Sequence, residues 1–294
     1  MHLLKNLEID FLGKRKAAFL VSIILSVLSI CLLFIKPPNW GIDFTGGSLV
    51  HLKFEKPISV KPLREALISG GITEPGIQKF RNSKVVILRI KNSKSDVKVS
   101  EKVNDILISA IPEQKFEIIR NEMVGPAVGS YLREKAVQAF LFAFVAMIIY
   151  IALRFRGGIW GIAAVIALIH DVIITFGILN FIGITIDLPV IAALLTLAGY
   201  SINDSIVIYD RIRENIRLHY KKKLGDIINQ SINSTLSRTI ITSGTTLIVV
   251  IGLFLKGGEV LHGFSTALLF GIIIGTYSSI FVAAPLVLVW QNRN

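Results

Sequence analysis

Cysteine is almost missing from this chain. Cys31 stands alone among 294 residues, so no disulfide within the chain is available and the redox compartment is left open. Acids are scarce too: 20 Asp and Glu against 32 Lys and Arg give a formal net charge of +12. The five histidines are scattered and make no metal-ligand spacing. No Walker-type phosphate loop occurs, which argues against nucleotide-driven work by this chain alone. No metal and no cofactor are expected.

What the chain has in excess is apolar surface. Hydrophobic residues make up 52% of it and the mean hydropathy is +0.65. They gather into runs of about 17 to 27 residues, and at ~1.5 Å of helix rise per residue such runs cross, or nearly cross, a ~30 Å hydrocarbon core. A basic balance can signal nucleic acid, anionic lipid or the loop bias of a membrane protein. With these runs present it is read as the last, and the partner is a lipid bilayer, with no nucleic acid.

The organisation expected is a cytoplasmic segment 1–16, a first span 17–35, an extracytoplasmic domain 36–135, and five more spans at about 136–153, 159–179, 188–208, 239–255 and 264–290. The first run ends in Lys36-Pro37-Pro38-Asn39-Trp40. It is longer than the ~7 to 15 residues of a signal-peptide core and no small-residue cleavage site follows, so it reads as an uncleaved anchor. Segment 211–236 carries Ile212, Ile216, Leu224, Ile227, Ile228, Ile232 and Leu236 among many cations, and reads as one or two amphipathic helices on the cytoplasmic membrane surface.

Charge sets the orientation. With the N terminus in the cytoplasm, the inner segments hold Lys5, Lys14, Arg15, Lys16, Arg154, Arg156, Arg211, Arg213, Arg217, Lys221, Lys222, Lys223, Arg238 and Arg293. The short outer loops near 180–187 and 256–263 hold only Lys256. Positive residues collect on the cytoplasmic side, so both termini are placed there.

The outer domain reads as a small α+β unit. Ser48–Phe54 alternates apolar and polar, as a half-buried strand does. Ser59–Ser69 reads as a helix with Ser59 at its N-cap, ended by Gly70-Gly71. Ile77–Arg81 and Val85–Lys91 read as short strands joined through Asn82-Ser83, Asp96–Ile111 as a second helix and Lys115–Val124 as a last strand. The order βαββαβ is the ferredoxin-like arrangement.

Only two acids fall inside the expected spans, Asp171 and Asp204, and an ionisable group in a membrane is a functional candidate by default. Asp171 is the deeper, about twelve residues from the cytoplasmic end of its span against about four for Asp204. Context favours Asp204 all the same. It lies in Ala198-Gly-Tyr-Ser-Ile-Asn-Asp-Ser205, where Asn203 and Ser205 flank it with hydrogen-bonding groups. Asp171 has only His170 beside it, and is the secondary candidate. A cation for Asp204 is expected from Arg238, at the cytoplasmic start of the fifth span: four residues of rise are only ~6 Å, within reach of a long side chain. Thr242 shares a helix face with Arg238. Gly271, Gly275, Ser279 and Ala283, at four-residue steps, read as a packing face.

These residues resemble a known family. Gly41-Ile-Asp-Phe-Thr-Gly-Gly47, with Gly41, Asp43, Gly46 and Gly47, is similar to the signature shared by the SecD/SecF family of protein-export membrane proteins. Val124-Gly-Pro-Ala-Val-Gly129, Ile169-His-Asp-Val-Ile-Ile174, Gly199-Tyr-Ser-Ile-Asn-Asp-Ser205, Ser237-Arg-Thr, Thr242-Ser-Gly-Thr-Thr246 and Gly275-Thr-Tyr-Ser-Ser-Ile280 resemble successive family segments, on the SecF side for the fourth span. The resemblance implies the resistance-nodulation-division architecture, a bacterial inner-membrane location, a SecD partner, the SecYEG channel, and use of the proton gradient to assist preprotein export. It assigns Asp204 and Arg238 to the proton pathway, with Thr242 and Asn203 beside them. The alternative is half of a small-molecule or lipid exporter of the same architecture. An enzyme is not expected. An aspartyl-protease dyad needs two carboxyls sharing a proton. Asp171 and Asp204 differ by ~12 Å in expected depth, and no Gly-x-Gly-Asp is present.

Overall fold

A computed structural model describes residues 9–73, 75–79, 84–90, 99–155, 158–219 and 221–291. The Asn82-Ser83 turn, the ends of the expected elements at Arg81, Lys91 and Asp96, and the cations Lys5, Arg156 and Arg293 lie outside the described residues. The elements in chain order are α1 (Arg15–Ile35), α2 (Ile42–Thr45), β1 (Gly47–Phe54), α3 (Val60–Ser69), β2 (Gly76–Lys79), β3 (Val85–Ile90), α4 (Val99–Ala110), β4 (Phe116–Val124), α5 (Pro126–Phe155), α6 (Gly158–Ile182), α7 (Leu188–Leu218), α8 (Leu224–Lys256), α9 (Gly258–Ser278), a π-helical segment (Ser279–Ala283) and α10 (Ala284–Gln291). They form two compact units, Met1–Asn39 with Gln138–Asn294, and Trp40–Val137.

In the second unit the alternation read in the sequence becomes an antiparallel sheet. Its strand order is β2-β3-β1-β4, and β1 pairs with both β3 and β4. Val50, Leu52 and Phe54 of β1 and Val86, Leu88 and Ile90 of β3 point to one side. There they meet Leu63 and Leu67 of α3 and Val103 and Leu107 of α4, whose spacing puts each pair on one helix face. Each such side chain contributes about 1.5–3 kcal/mol by leaving water. The Gly-Gly of the signature starts β1. Gly46 and Gly47 have φ of 70° and 130°, and a Cβ on Gly47 would stand 2.6 Å from the Ile90 carbonyl oxygen. A side chain at either position would strain the backbone just where the sheet is joined.

Among the described residues, six helices are long and apolar enough to cross a membrane: Arg15–Ile35, Pro126–Phe155, Gly158–Ile182, Leu188–Leu218, Leu224–Lys256 and Gly258–Val289. In the first unit α6, α7 and α9 are the most buried of them and form the middle of the bundle, whereas α1 and the span of α8 present most of their apolar side chains outward. The start of α7 is written in the sequence: Asp187 caps it by accepting the Val190 amide at 3.0 Å, with proline in its first turn.

One expectation is corrected here. The amphipathic stretch 211–236 is not a separate surface helix. Its first part is the end of α7 and its last part is the beginning of α8, each continuous with a span. Its apolar residues Ile212, Ile228, Ile232 and Leu236 pack into the bundle's own core with Phe11, Leu12 and Trp160. A helix already fixed to a span lowers its free energy by covering its neighbours as readily as by lying on lipid. The four-residue packing face stays buried along its length, at Gly271, Gly275, Ser279 and Ala283, although the helix loosens into a π-helical turn at Ser279–Ala283.

Candidate functional site

The two acids sit on adjacent central helices. Asp171, on α6, has none of its surface exposed, and Asp204, on α7, has 3%. Asp204 Oδ2 lies 3.4 Å from the Ser243 hydroxyl of α8, a long hydrogen bond. That hydroxyl is also 2.8 Å from Thr276 Oγ1 on α9. Asp204 is thus the end of a hydroxyl chain that crosses from α7 through α8 to α9.

The cation expected at Asp204 acts on that carboxyl through its charge without touching it. Arg238 is exposed on α8, and among the described residues no ion pair joins it to Asp204. Thr242 turns its hydroxyl back to the Arg238 and Thr239 carbonyls of its own helix, at 3.0 Å each. Asn203 faces outward. Ser243, one position along from Thr242, is the residue that reaches the acid. The helical period explains the difference: Thr242 follows the face of Arg238, and Ser243 is turned about 100° from it, toward α7.

Asp171 has more beside it than the His170 expected from the sequence. It holds the denser set of polar partners. Ser201 of α7 donates to its Oδ2 at 2.5 Å, Ser278 of α9 donates to the same oxygen at 2.7 Å, and His170 Nδ1 lies 2.8 Å from Oδ1. Sequence neighbours did not show this, because two of the three partners come from other helices. The available signal was the pair of serines at 201 and 278, each inside an apolar span. No hydrogen bond joins Asp171 to Asp204; each acid has its own set of hydroxyls.

The signature residues belong to the other unit. Gly41 precedes α2 and its carbonyl accepts the amides of Phe44 and Thr45 at 3.1 and 3.2 Å. Asp43 lies in the first turn of α2, where an acid complements the helix dipole. Gly46 and Gly47 lead into β1. This motif shapes backbone; none of its residues lies in the unit that holds the two acids.

A model of the C-terminal part of SecD/SecF protein-export membrane proteins matches residues 103–293, and a model of the SecD/SecF GG motif matches residues 32–58. The chain belongs to the SecD/SecF family. It is 46% identical over 285 residues to the protein translocase subunit SecF of Vibrio alginolyticus, covering 95% of this chain and 89% of that one. It is 46% identical over 293 residues to the SecF subunit of Calditerrivibrio nitroreducens, covering 98% and 96%. Among solved structures it resembles SecDF of Thermus thermophilus, a translocon-associated membrane protein, with a TM-score of 0.89 and 38% identity. The match covers all of this chain, which spans 40% of the length of that SecDF chain. A SecDF structure in a super-membrane-facing form aligns with a TM-score of 0.74 at 38% identity. Both SecD/SecF models lie across the motifs quoted from the sequence, and the second begins within the first span.

Proposed function

We propose that this chain is the SecF-type subunit of the Sec protein-export machinery in the bacterial inner membrane. With a SecD partner at the SecYEG translocon it uses the proton motive force to assist preprotein translocation and release on the extracytoplasmic side. Its termini lie in the cytoplasm, and its outer domain is a ferredoxin-like unit that handles the emerging preprotein. The chain carries a transport function, not a catalytic one.

The observation that supports a proton-driven role is Asp204, a nearly covered carboxyl inside a spanning helix, ending a hydroxyl chain to α8 and α9. Ionised, Asp204 accepts Ser243 and attracts Arg238 toward it. Protonated, it loses its charge and with it that attraction. One charge moved across the membrane yields ~2.3 kcal/mol per 100 mV, enough to shift a two-state balance of the helices about fifty-fold. The outer domain is joined covalently to α1 and α5, so helix movement is transmitted to it along the chain.

The test is Asp204→Asn, reconstituted with SecD and the translocon at matched protein levels. Insertion and SecD association should be normal, and the gradient-dependent share of export should be lost. Arg238→Ala should lose the same share, with Arg238→Lys restoring part of it, because Lys keeps the charge but not the planar fork. Full gradient-dependent export by Asp204→Asn would exclude Asp204 as the proton carrier.

A further inference from the structure

Three helices meet on one carboxyl inside the bundle. Asp171 of α6 takes the hydroxyls of Ser201 from α7 and Ser278 from α9 on a single oxygen. Gly275 permits that meeting: a Cβ there would stand 3.1 Å from the Ser201 Cβ and 3.2 Å from its hydroxyl, so α9 approaches α7 at the level of Ser201 because residue 275 has no side chain. Ser278 is the last residue of α9 before the π-helical segment, and π turns are frequent where helices carry function. A purely structural cluster would have its buried polar atoms paired. Here two stay open on α6. His170 Nε2 has no hydrogen-bond partner, in a side chain only 9% exposed, and neither has the Thr175 hydroxyl, one turn along from Asp171 and fully buried.

We propose that His170 and Asp171 form a second proton-holding site, distinct from the one at Asp204, and that its occupancy sets how firmly α6 holds α7 and α9. The proposal rests on the proton-driven reading above. The geometry supplies a balanced step. His170 starts neutral, with its proton on Nδ1 donated to Asp171 Oδ1. A proton arriving at Nε2 is matched by the Nδ1 proton passing 2.8 Å to Oδ1. The imidazole ends neutral in its other tautomer, Asp171 ends as the acid donating back to Nδ1, and no other bond changes. Among the described residues, His170 is the titratable group in contact with Asp171; α7 and α9 face it with Ser201 and Ser278. In the ionised state both serine bonds are charge-assisted, and in the acid state they are neutral and roughly half as strong. Taking up a proton therefore loosens the join between α6 and the two helices behind it.

The site is read by proton-induced infrared difference spectroscopy on the full chain, reconstituted in vesicles with SecD. Acidification should raise a protonated-carboxyl band that is absent in Asp171→Asn and retained in Asp204→Asn. Ser201→Ala and Ser278→Ala should each shift that band, since each removes a donor from Oδ2. His170→Asn should slow its rise by at least about ten-fold, as loss of a positioned proton carrier does. A band set unchanged by Asp171→Asn would overturn the proposal. Because Asp171→Asn can fail to assemble, the serine variants serve as the second arm, and a band shifted by neither overturns it equally. Failure of the Asp204 reading looks different: gradient-dependent export survives Asp204→Asn while the Asp171 band remains.

Discussion

At the scale of single residues, the chain places titratable groups where their surroundings decide their charge. His51 is the case outside the membrane spans. It sits on β1 opposite Arg120 of β4, with only 5% of its surface exposed and its Nε2 unpartnered. Burial first, and then the Arg120 guanidinium, hold its pKa below the usual 6.5; Glu122 opposes them, and Arg89 adds the smallest lowering effect. A histidine depressed in the folded state binds fewer protons there than in the unfolded chain, so folding stability rises with pH through this range. The contribution is present above pH 6.5 and is lost as pH falls through the folded-state value. Hydrogen exchange of the β1 and β4 amides, corrected for intrinsic rate, should show weaker protection at pH 5 than at pH 7.5. His51→Gln should flatten that difference. An equal pH response in the variant would assign it to other groups. The candidate site was legible to the same degree as such single residues are. Asp171 and Asp204 announce themselves because charge is rare in apolar spans. Their partners do not, because Ser201, Ser278 and Ser243 look like any small residue at a helix contact until the helices are packed.

At the scale of elements, local pattern carried most of the fold. Period-two alternation located β1, a short apolar run beside a turn signal located β3, and long apolar runs located the spans. What pattern could not show was how helix faces are shared. An apolar stripe such as Ile212, Ile228 and Ile232 suits a lipid surface or a neighbouring helix equally, and the sequence period is the same in both cases. The segment Ile9–Gly13 is a sharper instance. Asn233 Oδ1 accepts the Ile9 amide at 3.0 Å and Asn229 Oδ1 accepts the Phe11 amide at 2.9 Å, while both side-chain amides donate to the Ile9 carbonyl. Phe11 and Leu12 are buried beneath. This strap ties the start of α1 to α8 across more than 200 residues of sequence, a distance that local periodicity does not encode. Two asparagines one turn apart on α8 thus hold the turn that leads into α1. Each Asn→Ala change should cost about 1–2 kcal/mol through unpaired buried amides. Hydrogen exchange read by mass spectrometry should show the amides of Ile9, Phe11 and Leu12 losing roughly ten-fold protection per 1.4 kcal/mol in Asn229→Ala and Asn233→Ala. Unchanged protection would mean that the burial of Phe11 and Leu12 alone holds the strap.

At the scale of the whole molecule, the remaining question is which way the spans are threaded, and the cations are the ground for the orientation proposed. Under the proposed orientation Lys14, Arg15, Lys16, Arg154, Arg211, Arg213, Arg217, Lys221, Lys222, Lys223 and Arg238 share the cytoplasmic side, and the two short outer loops hold only Lys256. The reverse threading would carry that cluster outward through the membrane against a potential that opposes each charge by ~2.3 kcal/mol per 100 mV. The domain Trp40–Val137 is also basic, but long translocated domains cross largely regardless of charge. Single cysteines at Lys61 and Lys222 test this, both side chains being exposed, in a Cys31→Ser background that removes the one native thiol. A membrane-impermeant thiol reagent applied to cells with a permeabilised outer barrier and an intact inner membrane should label Lys61→Cys and leave Lys222→Cys untouched until the inner membrane is opened. The reverse pattern would invert the threading. Asp204, close to the cytoplasmic face in the proposed orientation, would then lie close to the outer face, and the direction of proton entry assigned to it would reverse with it.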